Sequence, residues 1–115
     1  MGFFDLFSAP ADPATYVAPK GIPSPDERRE LALYKYDYCG FCQRVLRALR
    51  DLPHVEVELR DTMKDRQHQR DLVQATGMTQ VPCLFIDGVP FHESADIVAW
   101  LQAYAVRGGA TEASD

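Results

Sequence analysis

From residue 31 onward the chain switches between two hydrophobic periods, and the switches mark its elements. In "LALYKY" (31–36) apolar residues alternate and end in aromatics, the pattern of a first strand. "GFCQRVLRALRDL" then places Cys42, Val45, Leu46 and Leu49 on one face and Arg44, Arg47 and Arg50 elsewhere. That spacing predicts an amphipathic helix, stopped by Pro53. "VEVEL" (55–59) alternates strictly and predicts strand two. "KDRQHQRDLVQATG" predicts a polar helix with Leu72 and Val73 inward, closed near Gly77. "CLFID" (83–87), the turn "DG" (87–88) and "VPF" (89–91) predict a hairpin. "SADIVAWLQAYA" predicts a final helix that buries Ile97, Val98, Leu101 and Tyr104, with Ser94 as its cap.

The order β-α-β-α-β-β-α has consequences. Two strands joined by a helix are expected to run parallel with a right-handed crossover, and the last two form an antiparallel hairpin. The fold class is therefore α/β, a mixed four-stranded sheet with about three helices on both its faces. Residues 1–29 are read as a Pro-rich extended leader, 30–105 as the folded domain and 106–115 as a flexible tail. Within the leader, Tyr16, Val17 and Ile22 are the groups expected to pin it to the domain. Phe3, Phe4 and Phe7 are expected to rest on the domain as well, and "MGFFDLF" lacks the basic start and cleavage site of a signal peptide.

Composition removes some functions. The chain has 115 residues, 46% hydrophobic and 25% charged, enough for one core without disulfide staples. A net charge of −5 and no basic stripe in the sequence argue against nucleic acid as the main partner. No stretch reaches the ~20 apolar residues of a membrane span. The three cysteines are odd in number and two are close together, which suggests a reducing compartment and a cytoplasmic location.

Cys39 and Cys42 stand where strand one turns into its helix. Free backbone N–H groups and the helix dipole there favour a thiolate, so Cys39 suits a nucleophile and Cys42 a resolving thiol. A zinc clip is a rival, but it needs four ligands, and Cys83, His54, His68 and His92 form no companion motif. Val81-Pro82 precedes a predicted strand. A cis peptide there would present the Val81 backbone outward, while an ordinary trans proline at a strand start fits the same residues. Glu93, Ser94 and Asp96 open the last helix. Such an end can hold a carboxylate on its N–H groups and an amine on its side chains, or can be a plain cap.

Together, "CGFC", "QVPCLFIDG" and "HESADIVAWL" resemble the glutaredoxin family of the thioredoxin-like superfamily, and also the N-terminal domain of glutathione transferases. The resemblance covers roughly residues 30–104. It implies a thioredoxin-like fold, Cys39 as nucleophile, Cys42 as resolving thiol, a cis Pro82, and Val81 pairing with the cysteinyl backbone of glutathione. Phe41 lies beside that ligand, and Glu93, Ser94 and Asp96 map to its γ-glutamyl end. Lys35 stands one step early for the family's basic residue at the glycyl carboxylate, and Gln80 or Arg70 would replace some contacts there.

The function implied is a glutathione-dependent thiol–disulfide oxidoreductase reducing protein disulfides or glutathione mixed disulfides, with glutathione as co-substrate and no tightly bound cofactor. The alternative is a dimer holding a [2Fe–2S] cluster through Cys39 of each chain and two glutathiones, because Gly40-Phe41 replaces the Pro-Tyr of common dithiol members. A monomer is expected otherwise, with no metal. Cys83 is expected to be inert.

Overall fold

The computed structural model describes residues 12–108. The placement expected for Phe3, Phe4 and Phe7, and the tail beyond residue 108, lie outside the described residues.

Strands β1 (Leu31–Lys35), β2 (Glu58–Asp61), β3 (Cys83–Ile86) and β4 (Val89–Phe91) form one sheet in the order β2-β1-β3-β4. β1 runs parallel to β2 and antiparallel to β3, and β3 runs antiparallel to β4. Three helices cover the sheet: α1 (Gly40–Arg50), α2 (Arg66–Thr76) and α3 (Ser94–Val106). This is the mixed α/β, thioredoxin-like arrangement expected from the sequence.

The alternation of β1 distributes its side chains to two cores. Leu31 and Leu33 join Val45 of α1 and Ile97, Trp100 and Leu101 of α3 on one face. Tyr34 joins Leu72 of α2 and Cys83 on the other. Local chemistry sets the element ends. Asp65 caps α2 by accepting the Gln67 N–H at 2.9 Å. Gly77, at φ 75°, closes the same helix by donating its N–H to the Val73 carbonyl at 2.7 Å. Asp87 and Gly88 both have positive φ (51° and 84°), the backbone a two-residue hairpin requires.

Several expectations shift. Strand two starts at Glu58, not at residue 55. Pro53 has no N–H to give a ladder, and the alternation of "VEVEL" reflects Val55 packing into the core before the chain joins β1. β1 ends at Lys35, and α2 begins at Arg66 rather than Lys64, because the Asp65 cap sets its start. Val73 is 39% exposed, since Leu72 alone fills the contact with Tyr34 and Cys83. Ser94 is not the cap of α3: Glu93 takes that place at φ 76° with no side-chain capping bond, and Ser94 is the first helical residue and buried. Asp87 leaves β3 for the turn.

Residues 12–29 are strapped along α3. Trp100 Nε1 donates to the Pro23 carbonyl at 2.8 Å, and the Arg29 N–H donates to Tyr104 Oη at 3.0 Å. Arg107, just past α3, pairs with Asp26 at 2.7 Å and donates to the Tyr16 carbonyl. Residues 106 and 107 thus belong to the ordered body rather than to a tail. Tyr16 and Ile22 pack on the core as expected, whereas Val17 points to solvent.

Candidate active site

The chain leaves β1, crosses Tyr36, Asp37 and Tyr38, and enters α1 at Cys39, which is the helix N-cap. The Cys39 backbone is extended (φ −88°, ψ 119°), so its side chain turns back over the helix start as a capping serine would. Its Sγ accepts the Cys42 backbone N–H at 3.3 Å. The first turn of α1 carries no acidic residue, so the positive end of the dipole meets the sulfur unopposed on its own helix. Tyr38 and Phe41, on either side of Cys39, are 95% and 61% exposed.

Cys42 is fully buried. Burial, together with the neighbouring Cys39, pushes its thiol up to about 12, only partly countered by the Tyr36 backbone and the Lys35 charge. Cys39 is half-buried and therefore reachable. The two thiols are unequal: one is presented, the other held back as a neutral thiol.

Because β3 pairs with β1 through Tyr34 and Cys83, the residue two before Cys83 lies beyond the end of β1, beside Cys39. The Val81-Pro82 peptide there is cis, and the Val81 carbonyl oxygen lies 3.9 Å from Cys39 Sγ. Val81 is half-buried, Pro82 buried and Gln80 exposed. The start of α3 reaches the same region from the side of α1. Arg44 Nη1, five residues past Cys39, lies 3.5 Å from Ser94 Oγ, while Glu93 and Asp96 face solvent next to it.

Lys35 is the last residue of β1. It is only 8% exposed, and its Nζ bonds Asp37 Oδ1 at 2.8 Å and Asp61 Oδ2 at 3.2 Å. Its charge is shared by two carboxylates, the exposed Asp37 and the half-buried Asp61. Arg70 is apart, bonding Gln67 on the outer surface of α2.

Sequence reasoning missed Arg44 and Asp61. Arg44 reads as one of three arginines on α1, and only the packing of α1 beside α3 brings it to Ser94. Asp61 becomes the partner of Lys35 because the two are register partners across β1 and β2. Cys83 is fully buried between Tyr34 and Leu72, and burial pushes its thiol up to about 11. Among the described residues, no group of three or more His, Cys, Asp or Glu side chains is arranged to hold a metal ion. A cleft of about 960 Å³ opens at the far end of the sheet, around Leu31, Ala32, His54 and Tyr104, away from Cys39 and Cys42.

Sheet order, together with a presented thiol at the first helix tip and a cis-proline beside it, places the chain among thioredoxin-like thiol proteins. The branch follows from sequence. The glutaredoxin family model matches residues 31–91, more than half of the chain, and the chain belongs to the glutaredoxin family. A solved structure, that of a wheat glutaredoxin, is 24% identical, with a TM-score of 0.53 over 70% of this chain and 82% of that chain. That likeness speaks to the fold alone. No curated protein sequence matches. Family and fold support a glutaredoxin-like thiol oxidoreductase, a family that uses glutathione as reductant. Among the described residues, no helix is long and apolar enough to cross a membrane.

Proposed function

We propose that the protein is a glutathione-dependent thiol–disulfide oxidoreductase acting mainly on glutathione mixed disulfides, with Cys39 as the nucleophile. The observation that carries this is the inequality of the pair: a half-buried Cys39 Sγ capping α1 beside a buried Cys42 whose thiol is pushed up to about 12. Glutathione would lie along Val81 and Pro82, with Gln80 and Phe41 at its flanks. Its γ-glutamyl end would meet Ser94, Glu93 and Asp96, with Arg44 supplying a cation for the α-carboxylate.

The reaction is two displacements. The Cys39 thiolate attacks the glutathionyl sulfur of the mixed disulfide; the old S–S bond breaks and its electron pair leaves on the substrate thiolate, which takes a proton from water. A second glutathione thiolate then attacks the Cys39–glutathione disulfide, forming oxidised glutathione and returning Cys39 to its thiolate. Cys42 N–H supports the Cys39 sulfur each time negative charge returns to it. Cys42 itself attacks poorly while it keeps its proton, so free glutathione completes the cycle faster.

The test is glutathione-driven turnover of a small glutathione mixed disulfide by wild type, Cys39→Ser and Cys42→Ser. Activity lost with Cys39→Ser and largely kept with Cys42→Ser supports the reading. Inactive wild type overturns it.

A further inference from the structure

Three of the arginines with fixed positions are tied into ion pairs: Arg29 with Asp87, Arg60 with Glu58 and Arg107 with Asp26. α1 is different. Arg44, Arg47 and Arg50 recur every third residue and all are exposed. Their ridge slants across the solvent side of the helix and spans roughly 9 Å along its axis at 1.5 Å per residue. Among the described residues, none of the three makes a salt bridge, and α1 has no acidic side chain of its own.

This ridge starts one turn from Cys39, and exposed Phe41 leads into it. The chain as a whole carries −5, so three neighbouring cations with no carboxylate partner stand out against its own field. Arg47 and Arg50 gain a little from the negative end of the helix dipole, but Arg44 lies too early in the helix to share in that.

We propose that the α1 ridge docks an acidic segment of the protein substrate, holding it beside the disulfide that Cys39 attacks. This rests on Cys39 being the attacking thiol, as proposed above. The partner is thus a polypeptide whose reactive cysteine is flanked by Asp or Glu. Phe41 gives it an apolar contact next to the sulfur. Guanidiniums suit this task because each presents a planar fork of donors to a carboxylate. With a Debye length of about 8 Å at physiological salt, such a partner senses the local ridge more than the distant net charge.

The test reads one chemical step without glutathione. Three peptides of equal length carry one cysteine joined to thionitrobenzoate and flanked by four Glu, four Gln or four Lys. In the Cys42→Ser protein, Cys39 Sγ bonds the peptide sulfur, the bond to thionitrobenzoate breaks, and the electron pair leaves on the coloured anion. The Glu peptide is expected to react about tenfold faster than the Gln peptide, and the Lys peptide slower still. That spread should collapse at 0.5 M salt and in Arg47→Gln/Arg50→Gln, which lies beyond the thiol site and should react normally with the Gln peptide. Equal rates for the three peptides overturn the docking proposal alone. No reaction with any peptide overturns the docking proposal, and the glutathione-driven assay above tells separately whether Cys39 attacks glutathione mixed disulfides. A salt-sensitive doubling of mass in sedimentation, abolished by Arg47→Gln/Arg50→Gln, would give the ridge to a second copy of the chain and also overturn it.

Discussion

Cys42 donates its backbone N–H to Cys39 Sγ across 3.3 Å while its own side chain is fully enclosed. One residue therefore stabilises its neighbour's sulfur and is itself screened from attack. The expected consequence is selective labelling. Iodoacetamide at neutral pH should modify the native, reduced protein once, at Cys39. Cys42 and Cys83, with thiols pushed up to about 12 and about 11, should react only after unfolding. Intact mass and peptide mapping would read this, and early modification of Cys83 would contradict it.

The Lys35–Asp61 bridge predicts how stability responds to acid. Burial alone would raise the Asp61 carboxyl, but the Met63 and Lys64 N–H groups and the Lys35 ammonium outweigh it and hold it below its usual range. Lys35 and Lys64 hold Asp37 below its range as well. Depressed carboxylates contribute stability above their unfolded value, about 3.9, and lose it as pH falls through the lower folded value. Lys35 is raised, chiefly by Asp37, so its share is present below about 10.4 and fades only above the folded value. The bridge is therefore complete across neutral pH. Lys35→Met should cost about 1–3 kcal/mol at pH 7. It should also flatten the fall in stability below about pH 4. Urea midpoints against pH would show both, and an unchanged acid limb would remove the bridge from the account.

How much of this was legible depends on the length scale. Cys39 and Cys42 announce themselves as a close cysteine pair, and a strand followed by an amphipathic helix marks the helix tip on which they sit. The hairpin at Asp87-Gly88 is equally local. Strand two was displaced because alternation reports which residues are buried, and Val55 is buried before the chain reaches the ladder. Ser94 looked like a cap by residue type, yet Glu93 at φ 76° shows that the turn from β4 decides the helix start. The pairing of Lys35 with Asp61 was hidden, because a sequence does not show register partners across strands. Local chemistry was readable; pairings across elements were not.

Ser94 and Arg44 give a test of the ligand's far end. A guanidinium 3.5 Å from a buried hydroxyl at a helix start offers donors suited to a carboxylate, with the acidic Glu93 and Asp96 beside it for an amine. Arg44→Gln should raise KM for glutathione about tenfold, the loss of one charge-assisted hydrogen bond, with kcat within about twofold. Ser94→Ala should raise KM less, about threefold. Steady-state kinetics in glutathione separate the two constants. A fall in kcat with KM unchanged would move Arg44 from binding to a structural role.

The strap over α3 should matter as much as a core contact. Trp100 is fully buried, stacks on Tyr104 with ring centroids 4.9 Å apart, and gives its N–H to the Pro23 carbonyl. Trp100→Phe removes that donor and leaves a carbonyl without its partner, which should cost about 1–3 kcal/mol. Arg107→Ala breaks the more exposed contact with Asp26, and solvent-screened ion pairs of that kind contribute little. The order of the two urea midpoints is the useful result. If Trp100→Phe loses more, the strap is fastened from within, by a buried indole reaching out to the backbone. If Arg107→Ala loses as much or more, the hold is at the surface, and it should then weaken with added salt as the Trp100 contact would not.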